Sequence, residues 1–131
     1  MANVTKAGWG VFSKILADMN SKGGFPISVL TDVEGFPIAS ASEEGMDAEK
    51  QAAVVSQIQR SVNQVRSQLG FGQTEEIIFF DINGQKLIMR IFNANQCEML
   101  LVVMVQAKKK TYRRFTNNAI QGIRKNWVLL A

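Results

Sequence analysis

The sequence predicts an α+β fold in which a five-stranded antiparallel sheet lies between a long helix and two terminal helices, as α/β/α layers. Two observations support this prediction: a short hairpin leads directly into a long amphipathic helix, and one late strand is apolar on both faces. Such a strand needs cover above and below, so helices must lie on both sides of the sheet. The predicted order is α-β-β-α-β-β-β-α, in a single domain over residues 1–131.

A helix and a hairpin begin the chain. Apolar residues at helical spacing predict the first helix over residues 5–20. Two short strands follow, near residues 27–32 and 37–41. Gly35 lies between them and can adopt the positive φ that a tight reversal requires. Pro37 cannot donate a ladder hydrogen bond, which suits an edge strand or a strand start.

The long helix comes next, with Asp47 as its N-cap and Gly70 at its end. Its apolar residues recur at steps of three and four and form one stripe. Its polar side is rich in Gln and poor in Lys and Glu, a composition that favours a partner-facing surface. An ordinary solvated face is the alternative. On the first interpretation, the partner-binding residues are Gln57, Arg60, Gln64 and Ser67.

Three strands and a final helix are predicted in the second half. The strands cover residues 75–81, 85–92 and 97–105, and the dipeptide at 83–84, Asn-Gly, is a strong hairpin signal between the first two. The third of these strands contains the run MLLVVMV and is predicted to be central. The final helix is predicted over residues 108–126.

The run Ile77-Ile78-Phe79-Phe80 matters most for function. At a sheet edge, such a strand exposes unpaired N–H and C=O groups beside large apolar side chains, which monomeric proteins usually avoid. The functional interpretation is the seam of a symmetric dimer. The alternative is an interior strand, or one covered by the loop at residues 20–24.

The residue inventory argues against an enzyme. Histidine is absent, which removes the usual general base and the commonest metal ligand. Cys97 is the only cysteine, so an internal disulfide cannot form and a reducing, cytoplasmic location is the simplest expectation. No apolar run is long enough to span a bilayer. We therefore expect no cofactor, no metal and no catalytic residue.

Charge is distributed unevenly along the chain. Residues 1–98 carry 8 Lys and Arg against 11 Asp and Glu, whereas residues 99–131 carry 7 Lys and Arg and no acid. The stretch Lys108-Lys109-Lys110, followed by Arg113 and Arg114, is interpreted as a solvated run. Docking to an acidic partner is one alternative. Binding to nucleic acid or to an anionic membrane is another, and it would make the protein a basic-tail adaptor. A small-ligand sensory domain of similar topology is a further alternative.

The motif D-x-E-G-F-P-I-A-S at residues 32–40, with G-x-D at residues 45–47, resembles the roadblock family. That family includes dynein light chains, a bacterial gliding-motility regulator and scaffold subunits for small GTPases. The resemblance implies a profilin-like fold with sheet order 2-1-5-4-3. It also implies a homodimer, or a heterodimer with a related roadblock protein, in which third strands meet edge to edge and long helices lie side by side. It further implies a small Ras-like GTPase as partner, which the protein regulates or scaffolds without an active site of its own.

The expected contacts follow from that resemblance and from the apolar run. The dimer interface is expected to use seven apolar side chains: Ile77, Ile78, Phe79, Phe80, Val54, Ile58 and Val65. The roadblock pattern does not explain the basic C-terminal helix, and it carries no catalytic residue. We therefore expect a cytoplasmic, non-enzymatic, homodimeric interaction module.

Overall fold

A five-stranded antiparallel sheet forms the centre of the protein. The computed structural model describes residues 6–109 and 111–127, with side chains from Gly10 onward. The strands follow the order β2-β1-β5-β4-β3 across the sheet, and every neighbouring pair is antiparallel. The predicted fold class and strand order are therefore confirmed. The strands are β1 (Ile27–Asp32), β2 (Pro37–Ser42), β3 (Glu76–Phe80), β4 (Lys86–Ala94) and β5 (Cys97–Val105).

Three helices cover the two faces of the sheet: α1 (Lys6–Gly23), α2 (Ala48–Leu69) and α3 (Arg113–Asn126). On one face, Phe12 of α1 and Ile123 of α3 belong to a buried cluster with the strands. On the other face, Val55 of α2 packs in a separate cluster. The predicted arrangement is confirmed: the two terminal helices lie on one face of the sheet and the long helix lies on the other.

Strand β5 connects the two clusters. Leu101 and Val103 belong to the α1 and α3 side, whereas Leu100 and Val102 belong to the α2 side. Each of these four side chains is fully buried. An apolar strand with cover on both faces is central because alternate residues point to opposite faces of a sheet.

Local signals set the ends of α2 as predicted. The Asp47 carboxylate accepts a hydrogen bond from the Lys50 N–H at 3.0 Å, which is N-cap geometry. Gly70 has a left-handed φ of 75°, and its N–H bonds to the Arg66 carbonyl. The hairpin that positions β3 and β4 also forms where the Asn-Gly pair predicts it.

Three element boundaries differ from the sequence prediction by two residues or more, and several strand ends differ by one residue. Helix α3 begins at Arg113 and not at residue 108, because the Lys109 N–H instead closes a turn onto the Gln106 carbonyl at 2.9 Å. Helix α1 continues to Gly23, and β4 continues to Ala94. Residue 5 of the predicted first helix and residue 110 of the basic run lie outside the described residues.

Candidate dimer edge and partner-binding surfaces

Strand β3 lies at an edge of the sheet and pairs with β4 alone among the described strands. Its side chains are large and apolar, and Ile78, Phe79 and Phe80 are 50%, 64% and 64% exposed. Ile77 is half-buried on the α2 side. The interpretation of this segment as an interior or covered strand is therefore wrong for a single copy.

The backbone of β3 offers a template for another strand. The Ile91 N–H bonds to the Glu75 carbonyl at 3.1 Å, and the Asp81 N–H bonds to the Gln85 carbonyl at 2.9 Å. Because alternate residues of an antiparallel strand direct their polar groups to opposite sides, odd-numbered residues of β3 face β4. The N–H and C=O groups of residues 76, 78 and 80 therefore point away from the sheet. Such an edge invites strand addition.

The apolar stripe of α2 continues past the core toward this edge. Ile58 packs beside the Val55 cluster, but Val65 is 46% exposed and Leu69 is 70% exposed. A groove of about 580 Å³ between the C-terminal end of α2 and β3 is lined by Val65, Phe71 and Ile77, among others. The uncovered apolar surface is therefore continuous from β3 to α2.

The predicted site residues of α2 fall on two different sides of that helix. Val54, Ile58 and Val65 are four and seven residues apart and share one flank. Gln57, Arg60, Gln64 and Ser67, at steps of three and four, share another side, and all four are exposed. The structure thus separates the residues assigned to dimerisation from those assigned to partner binding.

A carboxylate on β3 holds the edge strand to α3, and sequence reasoning missed it. Glu76 accepts hydrogen bonds from the Tyr112 hydroxyl at 3.0 Å and from Arg113 Nη2 at 2.9 Å, and Arg90 Nε lies 4.0 Å from it. Glu76 and Arg90 keep only 12% and 13% of their side-chain surface exposed. This network anchors the start of β3 from the α3 side. Burial raises the pKa of Tyr112, and the hydrogen bond to the Glu76 carboxylate and that group's charge raise this pKa further.

The β1–β2 turn is fixed firmly against α2. The Asp32 carboxylate accepts hydrogen bonds from the N–H groups of Glu34 and Phe36, at 2.9 and 3.0 Å. Gly35 has a φ of 93°, and a Cβ built there would lie 2.4 Å from Ser56 Cβ. The Ser56 hydroxyl also donates to the Glu34 carbonyl at 2.9 Å. Gly35 is therefore required both by its backbone conformation and by the closeness of α2.

A second groove, of about 830 Å³, lies between this turn and α2. Phe36 on its rim is 63% exposed, whereas Gln59 in its lining is 3% exposed. The Gln59 Oε1 atom accepts no hydrogen bond from the described residues. Helical periodicity places Gln59 four residues after the buried Val55, and that spacing was the one sequence signal for its burial.

Within the described residues, no group of three or more His, Cys, Asp or Glu side chains is arranged to hold a metal ion. None of the described helices is both long and apolar enough to span a bilayer. Cys97 is a free, half-buried thiol at the start of β5.

Solved structures of low sequence identity share this fold. MglB of Myxococcus xanthus is 13% identical, with a TM-score of 0.77 over 94% of this chain and 92% of that chain. A Roadblock/LC7 domain from Streptomyces avermitilis is 10% identical, with a TM-score of 0.68 over 86% and 92%. Profilin IB of Acanthamoeba castellanii is 10% identical, with a TM-score of 0.52 over 87% and 94%. No protein-family model and no curated protein sequence matches the chain. These similarities establish the architecture: the chain has a roadblock-like, profilin-like α+β fold.

Proposed function

We propose that this protein is a non-enzymatic, homodimeric interaction module that binds a small Ras-like GTPase and regulates or scaffolds it. The observation that supports the proposal most is the unpaired β3 edge with its exposed Ile78, Phe79 and Phe80. An isolated copy would leave both backbone polar groups and apolar side chains of this strand in water. The β3 strand of a second copy would offer hydrogen-bonding partners for those polar groups and apolar side chains to cover the exposed ones.

The proposed dimer joins two β3 strands about a two-fold axis. Each copy then offers the outward N–H and C=O groups of residues 76, 78 and 80 to the same groups of its mate, because a two-fold interface is self-complementary. The flank of α2 that carries Val54, Ile58 and Val65 adjoins this edge and would pack against the equivalent flank. MglB with a tetrameric arrangement is among the solved structures of similar fold, so assembly has a precedent on this fold.

The proposed GTPase surface is the exposed polar side of α2. Gln57, Arg60, Gln64 and Ser67 lie away from the apolar flank, so dimerisation leaves them accessible. Uncharged polar side chains with one Arg suit an interface, since they are desolvated at less cost than a row of Lys and Glu. The roadblock resemblance supports a small GTPase as the occupant.

The dimer part of the proposal is tested with matched aromatic substitutions. Phe79→Glu places a carboxylate in the seam twice, once per copy, and removes the burial of two rings. At about 1.5 kcal/mol or more for each mostly exposed ring, the dissociation constant should rise by about 100-fold. Phe36→Glu is the control, because Phe36 is 63% exposed but lies on the β1–β2 turn, away from β3. Equal effects of the two substitutions in analytical ultracentrifugation would contradict the β3 seam.

The GTPase part is tested separately. Each small Ras-like GTPase of the source genome, loaded with GDP or a non-hydrolysable GTP analogue, is mixed with the protein and examined by co-elution and by phosphate release. Arg60→Glu with Gln64→Lys should abolish complex formation and leave the dimer intact. Lys50→Glu, an exposed charge reversal in the first turns of α2, should change neither. If no GTPase binds in either nucleotide state, the proposed partner class is wrong.

A further inference from the structure

We propose that the groove between the β1–β2 turn and α2 is a docking site for a partner segment that places a cationic side chain next to an apolar one. We call it the hairpin groove, and define it by Val33, Glu34, Phe36, Glu49, Gln59 and Arg60. It lies within one copy, on the flank of α2 away from Val54, Ile58 and Val65. The inference therefore goes beyond the proposed dimer and does not depend on it. The groove shares Arg60 with the proposed GTPase surface, and a peptide assay without GTPase tests the groove separately.

The hairpin groove is preformed. Its outer wall is the β1–β2 turn, which the Asp32 carboxylate holds through the N–H groups of Glu34 and Phe36. The Ser56 hydroxyl ties the same turn to α2 through the Glu34 carbonyl at 2.9 Å. A wall with these contacts cannot collapse into the groove, so the space costs little to organise when a partner enters.

Phe36 gives the groove an apolar anchor point. Its ring is 63% exposed although the turn that carries it is hydrogen-bonded in place. The opposite wall presents Ala52 and Ala53, whose small side chains leave room above α2. An aliphatic or aromatic side chain inserted between them would be removed from water on two sides.

Gln59 gives the groove an unmet hydrogen-bonding group. Its side chain is 3% exposed, and Oε1 has no donor among the described residues. Buried amide groups without partners are uncommon, because the lost hydration is not replaced. Because Oε1 is itself fully buried, a docked segment could donate to it only after the side chain turned into the groove. The amide therefore adds a polar group to the groove floor but does not select the segment.

The acidic residues around the groove favour a partner segment that carries positive charge. Between Gly23 and Glu49 the chain carries six acidic residues and no Lys or Arg. Glu34 and Glu49 line the groove, and neither forms an ion pair with a described residue. Among the described residues that line the groove, Arg60 is the single cation. The groove is therefore electrostatically complementary to a segment with Lys or Arg beside its apolar anchor.

The test uses three fluorescein-labelled hexapeptides, KIKVRF, EIEVDF and KSKSRS, measured by fluorescence anisotropy with the full chain. Only KIKVRF should bind, and its affinity should fall as salt rises from 50 to about 200 mM because the charges are exposed. Glu34→Lys with Glu49→Lys should weaken it at least tenfold. Glu43→Lys with Glu44→Lys changes the net charge equally at exposed positions outside the groove lining and should have less than a twofold effect.

A second variant tests the apolar anchor. Phe36→Ala removes a ring that is 63% exposed, so the fold should persist while KIKVRF affinity drops about fivefold. Equal binding of KSKSRS, equal binding of EIEVDF, an equal loss in the Glu43 and Glu44 control, or no binding of KIKVRF at millimolar concentration would each overturn the proposal. Sedimentation of the same variants reports dimerisation independently, so failure of the groove is distinguishable from failure of the proposed dimer.

Discussion

Replacing Ile78 by Pro is expected to split the proposed dimer while each copy stays folded. The Ile78 N–H points away from β4, since residues 75 and 81 pair with β4 and the strand alternates between them. Pro at this position therefore removes no hydrogen bond within one copy. In the dimer it removes a donor from the seam, and its ring occupies the space of the facing strand.

The loss of dimerisation free energy is counted twice, because the two-fold axis repeats the substitution in both copies. Two inter-strand hydrogen bonds are lost, at about 1 kcal/mol net each. Ile78 is 50% exposed in one copy, so its burial against a mate contributes about 1 kcal/mol per copy, part of which Pro retains. The total is about 2–4 kcal/mol, or a dissociation constant raised by about 30- to 1000-fold.

Sedimentation equilibrium measures this change directly, with wild type expected at twice the 14.5 kDa of one chain. Ser40→Pro is the matched control on the other edge strand. Residue 43 pairs with residue 26 and Ala41 is opposite Ser28, so the Ser40 N–H also points outward. Ile78→Thr keeps the N–H and should stay dimeric. If Ile78→Pro sediments like wild type, or if Ser40→Pro is the variant that dissociates, the β3 seam is refuted.

Three further predictions concern stability, and urea denaturation measures each. Gly35→Ala should lower the free energy of unfolding by at least about 1 kcal/mol more than Gly45→Ala does. Both glycines have positive φ, but only at Gly35 would a Cβ lie within 3 Å of α2 atoms. Gly45→Ala measures the backbone cost alone, about 1–2 kcal/mol, and equal losses for the two variants would contradict the packing argument. Glu76→Ala should lower the free energy of unfolding by about 2 kcal/mol, because it removes the acceptor of the Tyr112 and Arg113 hydrogen bonds and the carboxylate near Arg90, whose Nη1 keeps its bond to Thr116. A loss below about 0.5 kcal/mol would contradict a stabilising role for this network. Tyr112 has a folded pKa above its ordinary 10.0, so its contribution is fully present below pH 10 and is lost as pH rises through the folded pKa. Tyr112→Phe should lack that alkaline decline, and parallel pH curves for the two proteins would contradict it.

Much of the site geometry was beyond sequence reasoning. The exposed run on β3 and the polar side of α2 were both predictable, because strand and helix periodicity show which residues share a face. The carboxylate network of Glu76 was not, since Arg90 and Tyr112 reach it from β4 and from the start of α3. The close contact of Gly35 with Ser56 was likewise invisible, because it joins a turn to a helix in the folded chain.

The sequence by itself determined the elements and their ends. Asp47, Gly70 and the Asn83-Gly84 turn act within a few residues of chain, so local chemistry is enough to position them. It also determined the layer order, because an apolar strand such as β5 requires cover on both faces.

Only the tertiary structure decided which apolar surface stays uncovered. Val55 and Val65 both belong to the apolar stripe of α2, yet Val55 is buried and Val65 is 46% exposed. Val65 lies on the same flank as Val54, which is 43% exposed, and periodicity shows which residues share a flank but not what lies opposite it. The burial of Gln59 could not be predicted from periodicity for the same reason, because it depends on where the β1–β2 turn lies against the helix.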